Sequence, residues 1–358
     1  MFSVIKYIHS HILSMRYISL LIRHTQDNPP NIEIIDDSYK GIDGKDVILR
    51  IFKPVKRRQL SIIIFPGASP FAEKHPGLIN LASIIAKLGF QVYIPRVPPL
   101  KKLNISEINI DWFAHAYKQI LCRDEIDPNN VTVTGISYGG SLLLNSSLDS
   151  RMNNPKPKSL LIYGSAYEID TGLDFLLTGK LNHNNKTIHI TPNEWGITVI
   201  LHNYLKNIDV GFDTKAIREV ISCRIEDNFE ELDKLKNNLN SHDREFINNV
   251  LNATYNEEIE NIVKKIIFQE RDNLQKISPK SFSDKIDNKV FIMHGANDSM
   301  VPFTESTKMA KDIKDSEVLI SYLYEHKEIS TNSGILSKLK ELLKMERFFA
   351  SYFRYNAN

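Results

Sequence analysis

Short apolar runs, each too brief for a helix, recur along this chain at Ser61–Phe65, Phe90–Ile94, Val131–Thr134, Ser159–Tyr163, Lys289–Met293 and Val318–Leu323. Ser61–Phe65 is apolar on both faces, which a strand tolerates only where helices cover both sides of its sheet. Helical stretches separate the early runs: Leu78, Leu81, Ile84, Ile85 and Leu88 share one face, and further helices are expected around 107–122 and through Leu142–Leu148. A shorter alternating run, Val47–Phe52, follows the turn-forming Gly41-Ile42-Asp43-Gly44. This rhythm predicts an α/β fold with an open, doubly wound, mostly parallel sheet.

The rhythm stops between about 166 and 287, where no buried strand is apparent and the segment reads as helices. Thr191-Pro192-Asn193-Glu194 has the form of a helix start, with Thr as N-cap, Pro in the first turn and Glu at the capping-box position. Residues 243–269, with Phe246, Val250, Ile259, Ile262 and Ile266 among many charges, predict a surface helix. Strands resume at 289, and an amphipathic helix of about 334–354 follows. The expected organisation is therefore an N-terminal amphipathic helix (1–30), a first core part (31–165), a helical insertion (166–287) and a second core part (288–358).

In the first 25 residues, Ile5, Ile8, Ile12, Met15 and Ile22 fall on one helical face, with Lys6, Arg16 and Arg23 interspersed. Basic residues so deep in the segment do not suit a secretory leader, and no run of 18 uncharged apolar residues suggests a span. The stripe must be buried on the core or in the headgroup region of a membrane, and docking on the core is the favoured expectation. The 358 residues carry 45 Lys and Arg against 43 Asp and Glu, a balance that supplies no field for nucleic acid. Two isolated cysteines, Cys122 and Cys223, exclude a disulfide framework and read as thiols of a reducing, cytoplasmic compartment. Neither Cys-x-x-Cys nor His-Glu-x-x-His occurs, so no metal or cofactor is indicated.

The chemistry concentrates in three places. Gly135-Ile136-Ser137-Tyr138-Gly139 joins a buried strand to a helix, a junction at which a serine projects its Oγ from a strained turn. A hydroxyl attacks only when a base takes its proton, so a carboxylate and a histidine are expected downstream. Asp298 lies in the loop after the Lys289–Met293 strand, and His326, the only histidine after it, follows the last strand. His294 beside the acid loop is read as structural. Glu168 or Asp170, after the Ser159–Tyr163 strand, would be the alternative carboxylate.

These residues, together with Phe65-Pro66-Gly67-Ala68-Ser69, His294-Gly295-Ala296-Asn297-Asp298 and Val301-Pro302, give the chain a resemblance to the α/β-hydrolase superfamily over about 40–165 and 288–354. The resemblance implies a triad of Ser137, Asp298 and His326. It also implies an oxyanion hole from the backbone N–H of Tyr138 and of Ala68, with Ser69 as the neighbouring alternative. The 166–287 insertion occupies the place of the family's cap, where Trp195, Tyr204 and Phe212 are candidates to line an acyl pocket. Two features depart from the family: Pro66-Gly67 stands where His-Gly is frequent, and Lys327-Glu328 follow the histidine where small residues are usual. The activity expected is hydrolysis of a carboxylic ester, with amide, peptide or thioester cleavage or a non-catalytic binding role as alternatives. The expected partner is a small ester or acyl substrate, with no nucleic acid and at most weak membrane-surface contact through residues 1–25.

Overall fold

A computed structural model of the chain describes residues 2–322 and 335–357. Among these residues there are ten strands: β1 Glu33–Lys40, β2 Asp46–Lys53, β3 Ser61–Phe65, β4 Gln91–Pro95, β5 Val131–Ile136, β6 Leu160–Tyr163, β7 Lys180–His183, β8 Lys186–His189, β9 Val290–Gly295 and β10 Ser316–Ser321. The first helices are α1 Phe2–Arg23, α2 Pro76–Lys87, the single turn α3 Pro98–Lys101, α4 Ile108–Leu121, α5 Tyr138–Ser146 and the single turn α6 Ser150–Asn153. Then come α7 Ile169–Thr178, α8 Trp195–Tyr204, α9 Lys215–Ile225, α10 Phe229–Asn237, α11 Ser241–Leu251, α12 Glu257–Gln269, α13 Arg271–Ile277, α14 Thr304–Asp312 and α15 Ile335–Asn356.

Eight strands form one sheet in the order β1-β2-β4-β3-β5-β6-β9-β10. β2 runs antiparallel to β1 and β4, and the remaining pairs are parallel. The two-faced run Ser61–Phe65 is explained by its neighbours. Ile62 and Ile64 pack with Leu13, Ile84, Phe349 and Phe353 of α1, α2 and α15. Ile63 and Phe65 face the other way, toward Phe113, Tyr117 and Leu142 of α4 and α5. Phe65 stacks on Phe113 with ring centroids 4.1 Å apart. Covered on both sides, the strand has no place for a polar residue.

From β3 the chain crosses to β4 on one side, whereas β5 lies on the other. The carboxyl ends of β3 and β5 therefore flank a topological switch point, where open α/β sheets form their binding crevice. The pairing Phe65↔Gly135 brings the loop after β3 beside the turn after β5. Pairings Ile136↔Tyr163 and Tyr163↔Met293 set the ends of β6 and β9 at the same level.

Between β6 and β9 the insertion is helical, α7 to α13, with three departures from the sequence reading. First, it contains a short two-stranded ribbon, β7–β8, closed by Asn184 and Asn185 at φ 49° and 60°. Consecutive left-handed residues make the two-residue turn that matches strand twist, and asparagine tolerates that conformation well. Second, the expected helix over 243–269 is two helices. Ala253 takes φ 53° after α11, and the Asn256 side chain accepts the Ile259 N–H (3.0 Å) to start α12. Third, Thr191 is not an N-cap. Helix α8 begins at Trp195, whose N–H is taken by the Asn193 side chain (2.9 Å).

Candidate active site

The turn after β5 puts Ser137 at φ 53°, ψ −131°, a conformation natural only to glycine. Three hydrogen bonds hold it there. Its N–H donates to the Tyr163 carbonyl (2.7 Å), and its carbonyl accepts from the Ser165 hydroxyl (2.7 Å) and the Gly140 N–H (2.9 Å). Gly139 is required sterically, because a Cβ there would lie 2.1 Å from the Pro66 carbonyl oxygen. The same close approach places Gly67 against the serine: a Cβ on Gly67 would sit 3.6 Å from Ser137 Oγ.

The Tyr138 N–H opens α5, where first-turn amides have no partner within the helix and the dipole is positive. Neither it nor the Ala68 N–H makes a hydrogen bond among the described residues. The Ala68 carbonyl, on the other side of its residue, accepts from the Trp195 indole N–H (3.1 Å). The phenol of Tyr138 is turned into the protein, its hydroxyl buried without a partner among the described residues. Burial, with Tyr204 nearby, pushes its pKa well up, so it remains a neutral donor.

The loop that carries Ala68 is tied down at further points. Glu73, fully buried, takes both Nη2 and Nε of Arg96 (2.5 and 3.1 Å), a forked ion pair from the end of β4. Lys101 Nζ donates to the Pro70 carbonyl (3.0 Å). Trp195 is itself held: the Arg224 guanidinium lies 5.0 Å above its ring and is bound by Glu194 (2.7 Å) and Asp227 (2.7 Å). The Glu73–Arg96 pair escaped the sequence reading, since a glutamate in a polar loop reads as solvated until its partner is known.

Asp298 is buried in the loop after β9, where its Oδ1 accepts from the Met300 and Val301 amides (2.7 and 3.0 Å). His294 has no exposure, and both its ring nitrogens are engaged. Nε2 faces the Val301 carbonyl (2.9 Å), which can only accept, so it carries the proton. Nδ1 is hydrogen-bonded to the Ser306 hydroxyl (2.7 Å), and Nε2 also lies 3.5 Å from Asp298 Oδ2. The ring is thus a strut of the acid loop. The Asn193 N–H donates to the Ser299 carbonyl (2.8 Å), so the segment 193–195 touches both the acid loop and the Ala68 loop.

His326 lies outside the described residues. Glu168 is taken by Lys280 (2.6 Å) and lies 4.0 Å from Lys308. The segment around it is pinned by Glu305, a buried carboxylate that accepts from the Tyr167 and Glu168 amides (3.2 and 2.7 Å) and the Thr171 hydroxyl (2.8 Å). Of the three aromatics, Trp195 meets the Ala68 loop and Tyr204 donates to the Ile105 carbonyl (2.8 Å). Phe212 packs against α11 of the insertion, with the rings of His242 and Phe246 centred 4.7 and 6.2 Å away.

Comparison with known proteins places this architecture. Dipeptidyl peptidase 4 of Porphyromonas gingivalis superposes with a TM-score of 0.50 at 10% identity, over 90% of this chain and 36% of its own. A puromycin-hydrolyzing peptidase of Mycobacterium tuberculosis gives 0.50 at 12% identity, over 92% of this chain and 40% of its own. An esterase domain from a Rhodothermus marinus protein aligns over 91% of this chain and all of its own, with a TM-score of 0.45 and 10% identity. No family model and no curated sequence matches. The chain has the α/β-hydrolase fold, and it spans well under half the length of these two peptidases.

Proposed function

We propose that the protein is a serine hydrolase that cleaves a carboxylic ester through an acyl-enzyme. Ser137 attacks the carbonyl, His326 takes and returns the proton, and Asp298 holds the imidazolium. The N–H groups of Tyr138 and Ala68 stabilise the oxyanion. The observation that carries this reading is the strained serine at the switch point, beside a helix N-terminus and a loop braced to leave one amide unpaired. Strain of this kind clusters at functional sites, where the surroundings enforce it. Trp195 is proposed to line the acyl site and to hold the Ala68 peptide in position. The insertion is read as a cap over the crevice.

Acyl-enzyme chemistry has a kinetic mark. With a p-nitrophenyl ester the first turnover should release a burst of nitrophenolate, stoichiometric with protein, before the slower steady state. The two peptidases of like fold make anilides the natural second panel, with thioesters as the third. Absence of catalysed release from all three panels would defeat the proposal.

A further inference from the structure

Helix α1 is docked by one face and bare on the other. Ser10, Leu13, Ser14, Tyr17 and Ile18 are buried, Ser14 donates to the Glu346 carbonyl (2.7 Å), and the Tyr17 ring meets Phe349 at 4.5 Å. The opposite face presents Val4, Ile5, Ile8, Ile12, Met15 and Ile22, each 44% to 60% exposed. Spacings of three, four and seven align these side chains into one stripe along a helix about 33 Å long. A stripe of that extent in water marks an interaction surface.

The charges around it select the partner. Residues 1–26 contain no Asp or Glu. Lys6, Arg16 and Arg23 are exposed, and the two arginines pair with no carboxylate among the described residues. A second copy seated on the stripe would bring these cations together with no acid in the segment to neutralise them. An anionic bilayer surface supplies both the apolar depth and the opposite charge. No helix among the described residues is long and apolar enough to cross a membrane, so the geometry is that of a helix lying in the interface.

We propose that α1 holds the folded protein to membranes rich in anionic lipid through its Val4–Ile22 stripe, while its other face stays docked on α15. The full chain is sedimented with vesicles of phosphatidylcholine alone and of equal parts phosphatidylcholine and phosphatidylglycerol. Binding to the anionic vesicles should be about tenfold stronger and should weaken with salt. The Ile8→Ser/Met15→Ser variant should lose it with the melting temperature unchanged. Arg16→Gln/Arg23→Gln should bind several-fold more weakly, with a flatter salt dependence. Wild-type protein left in the supernatant, or variants that bind as wild type does, would overturn the proposal. So would a dimer, measured by light scattering, that Ile8→Ser/Met15→Ser dissociates, because the stripe would then belong to a second copy.

Discussion

Ser137 carries its side chain at a φ that costs an L-residue about 1–3 kcal/mol. That strain can be read without any substrate. Ser137→Gly and Ser137→Ala both lose the hydroxyl, but only alanine keeps a Cβ at the strained position. The glycine variant should therefore melt higher, by a difference worth about 1 kcal/mol; the reverse order would mean that the turn is relaxed. Trp195 offers a second test at this scale. Trp195→Phe keeps a ring beneath Arg224 and removes the N–H that holds the Ala68 carbonyl. Loss of one such bond should lower kcat up to about tenfold, for acetate and long-chain esters alike, with KM little changed. An effect confined to long chains would make Trp195 a wall of the acyl site and nothing more. The placement of Ser137 and Asp298 at strand ends was legible from local patterns, and the roles given to them belong to the proposal. The Trp195–Ala68 bond and the Glu73–Arg96 pair were not legible, because their partners are distant in sequence and nothing local distinguishes them from solvated residues.

The central strands were legible as elements because a strand buried on both faces has a composition no loop shares, whereas the polar, exposed β1 was not. The insertion was harder. A two-residue turn made by Asn184-Asn185 joins strands of four residues with little apolar content, so the ribbon left no periodic trace. The break between α11 and α12 did leave a trace: Ile259 stands nine residues after Val250, half a turn out of phase on a continuous helix, and that shift of the apolar face marks the end of one helix and the start of another. In the first turn of α11, His242 donates to Glu258 of α12 (2.8 Å) and to Asp243 (3.0 Å), and the bond to Glu258 is the larger cause of its raised pKa. A folded-state pKa above the ordinary histidine value of 6.5 stabilises fully at pH below that value. The contribution then disappears as pH rises through the raised one. His242→Gln should accordingly lower the melting temperature more at pH 5.5 than at pH 9; an equal loss at both would show that charge plays no part. For α1 the sequence offered apolar residues on both faces, and periodicity could not say which face docks. The one read as the stripe is the one left exposed.

For the whole molecule, two-sided burial marks β3, β4, β5 and β9 as inner strands, and the largely exposed β1 and the part-exposed β10 lie at the two edges of the sheet. That topology brings the loop after β3 and the turn after β5 to one crevice, and the insertion between β6 and β9 lies along the chain where it can contribute to both the acid loop and the Ala68 loop. The central claim is that this crevice holds one activated serine, and covalent labelling tests it most directly. The full chain is treated with a fluorophosphonate and its intact mass is measured, followed by peptide mapping. One adduct per chain on Ser137, absent from a folded Ser137→Ala variant, is the result the account predicts; no adduct, or stoichiometric labelling at another residue, would contradict it.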